Sequence, residues 1–263
     1  MSIQQKRLLR ALDSAATKYS HGKVAILAGS AKYPGAAVLC VGGARRGGAG
    51  YINYLRREDE PSRLVISAYP DVVPITKASE FDGDCWVIGS GAPKLSRSFD
   101  FPESKFLVLD GEVMGIATNS NTPFTIITPH AGEAKKLGFE ITGTGSKLAL
   151  ARKDVAIAMA KKLHVIVVLK GHNTVIAGPD GTSIVDTSGG SELATAGTGD
   201  ILAGLIGSML ASWHPENLAE TIQVVAKSVK LHGLAGALAA KSLAPVVATD
   251  ILDALAKVSV KIK

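Results

Sequence analysis

Cysteine is scarce. Among 263 residues only Cys40 and Cys85 occur, in no CxxC or other ligand spacing, which argues against a disulfide-held scaffold and a cysteine-based metal site. A reducing compartment, and so the cytoplasm, is the expected setting. Aromatic residues make up 5% of the chain and no Lys/Arg block exceeds two, so the clustered cations and interleaved aromatics of a nucleic-acid surface are missing. Long apolar runs are missing as well. The longest, Ile201 to Trp213, is broken by glycines and Ser208 and is too short to cross a bilayer. Met1 to Tyr19 is basic but has no continuous apolar centre of the kind a leader needs. Neither nucleic acid nor membrane is therefore an expected partner.

Two common nucleotide signatures are absent too. There is no GxxxxGK[ST] loop, and no GxGxxG follows a strand-like segment, so neither a P-loop ATPase nor an ordinary dinucleotide-binding dehydrogenase is supported.

What is present is glycine, 28 residues, in a chain that is 46% apolar and long enough to bury a sizeable core. Short β-branched runs alternate with longer Ala/Leu-rich segments, the pattern of strands joined by crossover helices in a parallel sheet. The expected strands are Val24–Ala28, Leu64–Ser67, Trp86–Ile88, Phe106–Leu109, Thr125–Thr128 and Val165–Leu169. The expected helices are Ile3–Lys18, Gly35–Gly48, Gly132–Leu137, Lys147–Leu163, Ile201–Ala211 and Asn217–Lys241. Thr174–Asp186 breaks the rhythm, because two short β runs flank Gly178-Pro-Asp-Gly181 and predict a hairpin. The fold class is thus α/β, a mostly parallel sheet with an antiparallel hairpin edge. No repeat or linker divides the chain, and one domain over residues 1–263 is expected.

The net charge of +6 is unevenly placed. Residues 1–60 carry ten Lys/Arg against four Asp/Glu, and the remainder is balanced at nineteen of each. An excess spread singly over one quarter of the chain suits a solvated basic face or attraction of a small anionic ligand.

The segment with the clearest chemical content is Ala196-Gly-Thr-Gly-Asp200, which runs directly into an apolar helix. Glycines allow close backbone approach, and the free N–H groups at a helix start, helped by its dipole, receive anions. Asp200 has two possible jobs there, a helix cap or a base beside an anion hole, and the local sequence leaves both open.

Val168-Leu-Lys-Gly-His-Asn-Thr-Val-Ile-Ala-Gly-Pro-Asp-Gly181 and Ala194-Thr-Ala-Gly-Thr-Gly-Asp-Ile-Leu-Ala-Gly204 together resemble the nucleotide-binding half of the ribokinase-like superfamily. Within it the chain is most similar to the ADP- or ATP-dependent NAD(P)H-hydrate dehydratases. Further segments carry this likeness in order: Gly29–Ala37, Val87–Gly91, Leu107–Asp110, Thr128–Glu133, His232–Gly236 and Ala248–Asp250. Three places depart from the family pattern, Gly89-Ser-Gly91, Asp110-Gly-Glu112 and Gly189-Gly-Ser-Glu-Leu193.

The resemblance implies a three-layer α/β/α sandwich and an enzyme that dehydrates (6S)-NADHX and (6S)-NADPHX to NADH and NADPH at the expense of ADP or ATP, with Mg2+. It implies Asp200 as catalytic base, and an anion hole from Gly197, Thr198 and Gly199. It implies substrate contacts at Ala36, Gly91, His130 and Asp200, and nucleotide contacts at Lys170, Gly171, His172, Asn173, Thr174 and Gly199. Asp110 is either a magnesium-linked carboxylate or a buried strand-end cap, the metal ligands are unassigned, and His232 is read as a packing or interface residue. A homo-oligomer, with the tetramer the family's tendency, is implied, and no separate epimerase domain is expected. A small-molecule kinase of the same fold, acting on a hydroxymethylpyrimidine, a thiazole alcohol or a sugar, is the alternative. The basic first quarter is then read as an aid in drawing in the anionic cofactor.

Overall fold

In the computed structural model, which describes residues 8–10 and 14–261, nine strands form one sheet. They are β1 (Lys23–Leu27), β2 (Tyr51–Leu55), β3 (Val73–Ile75), β4 (Cys85–Ile88), β5 (Phe106–Leu109), β6 (Phe124–Ile127), β7 (Ile166–Leu169), β8 (Thr174–Ala177) and β9 (Ser183–Asp186). Their spatial order is β3-β2-β1-β4-β5-β6-β7-β8-β9. Pairings from β3 through β7 are parallel, with Val24 opposite Ile52 on one side and Cys85 on the other. β7, β8 and β9 pair antiparallel, as the Gly-Pro-Asp-Gly turn predicts.

Among the described residues seven α-helices cover the sheet: α1 (Pro34–Ala44), α2 (Asp59–Ala68), α3 (Ala131–Lys136), α4 (Gly145–Leu163), α5 (Thr198–Trp213), α6 (Leu218–Ala239) and α7 (Ala248–Lys261). Alternate residues of β1 feed different cores. Val24 and Ile26 join one cluster with Ile201, Leu205 and Leu255, whereas Ala25 and Leu27 join a second with Ala134, Ala156 and Met159. Two apolar layers, one on each sheet face, complete the three-layer arrangement.

Helices α1 and α5 touch backbone to backbone. A Cβ on Gly43 would run into the Ile201 carbonyl, and one on Gly204 into the Cys40 carbonyl. This contact brings both helix starts to the C-terminal edge of the sheet. The order of β1 and β4 puts the topological switch there, because successive crossovers run outward from β1 toward β3 and from β4 toward β7.

Several expectations need correction. Leu64–Ser67 lies inside α2, whose buried residues Pro61, Ser62 and Val65 follow a helical spacing, with Asp59 and Glu60 in the first turn favoured by the helix dipole. The β-branched run misleads because Leu64 faces solvent. Strands β2 and β3 and helix α7 were not expected. Of the expected helix Ile3–Lys18, residues 3–7 and 11–13 lie outside the described residues, and residues 14–18 are not helical.

Candidate active site

The loops that leave the parallel strands converge on one edge. Asp110 follows β5 and is 5% exposed, with both oxygens occupied. Oδ1 accepts from Thr128 Oγ1 at 2.6 Å and from Lys170 Nζ at 2.9 Å, and Oδ2 accepts from Ser90 Oγ at 3.0 Å. Burial works against this carboxylate, but Lys170 and the hydroxyl donors outweigh it and hold the Asp110 carboxyl below its ordinary value. Lys170, at the end of β7, is raised in turn: burial opposes its charge, and Asp110 and Glu133 restore it. Its ammonium also lies 3.9 Å from Glu133 Oε2.

His130 caps α3. Its Nδ1 accepts from the amides of Gly132 at 2.9 Å and Glu133 at 3.3 Å, while Glu133 Oε2 accepts from the His130 amide at 2.8 Å. This reciprocal cap fixes the imidazole at a strand end with 60% of the side chain exposed.

Helix α5 starts differently. Its N-cap is Gly197, held at φ +94, and no side chain caps it. The first backbone bond of the helix, Ile201 N–H to Gly197 O, comes after Thr198, Gly199 and Asp200, whose amides have no backbone acceptor of this kind. Thr198 Oγ1 pins the preceding loop by donating to the carbonyls of Leu193 and Thr195. Asp200 therefore occupies the third helical position and is not the cap that local sequence allowed. Burial pushes its carboxyl up to about 7, the charge of Asp110 adds to the rise, Lys170 opposes it and Glu133 adds again. A Cβ on Gly199 would lie 3.1 Å from Lys170 Nζ, so the start of α5 and the ammonium are neighbours.

Lys170, Gly171, His172, Thr174, Thr198 and Gly199 line one cavity of about 520 Å³, which the loop Gly189–Leu193 and α6 close. Asn173, in the left-handed region at φ 61, and Gly197 are not among its lining residues. Ala36 and Gly91 meet on the other side of Asp200's edge, where a Cβ on Gly91 would strike that of Ala36. Ser30 Oγ donates to the Gly91 carbonyl and Gly29 N–H to that of Ser90, tying the loops after β1 and β4 together. Gly35, in the first turn of α1, faces open space.

Sequence reasoning missed Glu133 and Arg152. Glu133 stands three residues after His130, a capping-box spacing that could have marked it. Arg152, in α4, donates through Nη2 to the carbonyls of Leu169 and Lys170, and nothing local signals that role. His232 lines the 520 Å³ cavity from α6, 5% exposed, and burial depresses its imidazole to about 4.

No three His, Cys, Asp or Glu side chains converge into a metal cage among the described residues. With Asp110 fully engaged, the site fits magnesium only as an ion carried mainly by phosphate and water oxygens, the usual habit of Mg2+, with Asp200 and Glu133 as the nearby carboxylates.

A sequence family described as NAD(P)H-hydrate dehydratase matches residues 24–257. A bifunctional NAD(P)H-hydrate repair enzyme from Corynebacterium glutamicum is 33% identical over 93% of this chain and 48% of its own length. The chain thus spans about half of that relative. An ADP-dependent (S)-NAD(P)H-hydrate dehydratase from Neisseria meningitidis is 32% identical, covering 86% of this chain and 79% of that protein. The crystal structure of an ADP/ATP-dependent NAD(P)H-hydrate dehydratase from Bacillus subtilis, co-crystallized with ATP/Mg2+, superposes with a TM-score of 0.81 at 28% identity over 97% of this chain and 95% of that one.

Proposed function

The chain belongs to the NAD(P)H-hydrate dehydratase family, and from that premise we propose that it removes water from (6S)-NADHX and (6S)-NADPHX, consuming ADP or ATP. The observation that carries the reading is a carboxylate poised near 7 in the first turn of an uncapped helix, facing a buried ammonium. Hydroxide leaves poorly. Asp200 takes the proton of the ring hydroxyl as its oxygen attacks the terminal phosphorus of the nucleotide, and the shortened nucleotide departs. The amides of Thr198 and Gly199 and the Lys170 ammonium receive the charge on the phosphoryl oxygens. The ring nitrogen's lone pair then expels phosphate from C6, and loss of the C5 proton restores the reduced nicotinamide.

Magnesium bound to the nucleotide phosphates supplies charge neutralisation. Lys170 to Thr174 and Gly199 hold the nucleotide, while Ala36, Gly91 and His130 hold the hydrated dinucleotide. The cytoplasm is the proposed setting, supported by two buried free thiols, Cys40 and Cys85. The single-domain reading is supported by one sheet running through the described residues. A homo-oligomer, with the tetramer as the form to be tested by light scattering, is the proposed state.

Incubating the protein with hydrated NADH and ADP or ATP tests the reading. Return of the long-wavelength absorbance of the reduced ring with release of inorganic phosphate supports it. A stable phosphorylated product from an alcohol substrate, with no NADH recovered from either donor, would establish the kinase alternative instead.

A further inference from the structure

The C-terminal edge of the sheet bears two hollows. On its β7 side is the cavity of about 520 Å³ already described. On its other side, at the ends of β1 and β2, a cavity of about 380 Å³ is walled by Leu55, Pro61, Leu95 and Phe99 and bears the exposed cations Arg57 and Lys94. A second hollow of about 270 Å³ adjoins it, sharing Leu27, Leu55, Arg57 and Phe99, and includes Trp86 in its wall. Trp86 is fully buried, and its indole N–H has no hydrogen-bond partner. An orphaned donor of this kind is a cost unless something meets it.

The first hollow carries two cations against one acid. Glu58, its one acid, already accepts the Ala31 amide at 2.6 Å. Asp100 lines only the second hollow. Neither Arg57 nor Lys94 has a carboxylate partner among the ion pairs of the described residues. From β5, which carries Asp110, to β2, which leads to Arg57, are three strand spacings, about 14 Å. That is a span an extended dinucleotide bridges, and the joined loops after β1 and β4 lie along it.

We propose that the paired hollow beside β1 and β2 receives the adenosine end of the dinucleotide, with Arg57 and Lys94 on its 2′-phosphate, so that the NADPH-derived hydrate is preferred over the NADH-derived one. The inference rests on the dehydratase reading for its ligand class. The apolar walls and the Trp86 N–H suit a purine, and two exposed cations without an ion-pair partner suit a phosphomonoester.

The test does not need turnover. In a Trp213→Phe background Trp86 is the sole tryptophan, and its fluorescence reports titration with 2′-phospho-ADP-ribose or ADP-ribose in the presence of saturating ADP. The phosphorylated ligand is expected to bind about tenfold more tightly, and Arg57→Ala with Lys94→Ala is expected to equalise the two. Equal affinities in the parent protein, a preference that survives the double substitution, or competition by ADP would each overturn the proposal. In turnover, the double variant loses kcat/KM for the NADPH hydrate and keeps it for the NADH hydrate, and an equal loss for both counts against it. A protein that recovers neither cofactor yet binds the 2′-phosphate selectively would fail the dehydratase reading and leave this site standing.

Discussion

Two helices begin within the same edge of the sheet without side-chain caps, and they carry different equipment. Helix α1 starts at Tyr33-Pro34-Gly35 with no acid in its first turn, and α5 starts at Gly197 with Asp200 in its first turn. Helix α3, between them in chain order, is closed by the His130–Glu133 box, and α6 by Asn217. Helices α2 and α4 also start without a side-chain cap, and what sets α5 apart is Asp200, a buried carboxyl raised to about 7 in its first turn. Bare amides bind; bare amides with a destabilised carboxylate can also do chemistry.

The strongest way to break this contrast is Asp200→Asn, which makes the two starts alike. Turnover is expected to fall by a factor of about 100 or more with nucleotide affinity retained, read by steady-state kinetics and calorimetry. In the parent, kcat/KM is expected to rise through an acid limb near 7, since the base must be ionised. Stability carries the opposite sign. A carboxyl raised from 3.8 to about 7 favours the folded state below its ordinary value and loses that contribution as pH rises through 7. The Asn variant is therefore expected to melt higher than the parent at pH 8, with the gap closing toward pH 4. A constant gap would show that Asp200 is not the strained group.

Lys170→Met tests the next layer. It leaves Asp110 buried without its ammonium, a loss of about 3 kcal/mol in denaturant unfolding, and removes the one charge that lowers Asp200. The acid limb is expected to move upward in pH along with the fall in rate. Gly204→Ala forces α1 and α5 apart and is expected to cost about 1–3 kcal/mol, with the shape of the pH profile unchanged. The mildest change is Tyr33→Asp, which gives α1 an acid at its start. A KM for the dinucleotide raised several-fold, less so at high salt, is expected, and an unchanged KM would remove α1 from the binding site.

Much of the fold was legible because buried parallel strands are apolar throughout, as in Phe106–Leu109 and Ile166–Leu169. Periodicity failed where composition and burial disagree. Tyr51–Leu55 places Asn53 and two tyrosines in a buried strand, Asn53 donating to the Val73 carbonyl and Tyr54 to that of Ala28, and such partners are not visible in a linear pattern. The site divides in the same way. The loop around Asp200 is marked by its glycines, whereas the value near 7 comes first from burial and then from the charges of Asp110, Lys170 and Glu133, which arrive from beyond three other strands. Lys170 itself was expected only as a nucleotide contact, and its ion pair with Asp110, 60 residues away, could come only from the sheet order.

The glycine seam between α1 and α5 acts as a ruler. With Gly43 against the Ile201 carbonyl and Gly204 against the Cys40 carbonyl, no side chain can be trimmed at these two contacts, so main-chain dimensions set the approach of the helices there. Drift in sequence can alter what each start attracts, but it cannot change the spacing without breaking both helices at once. Under the proposed function, a substrate that carries one anion to α1 and a reacting hydroxyl to Asp200 would be measured against a fixed length.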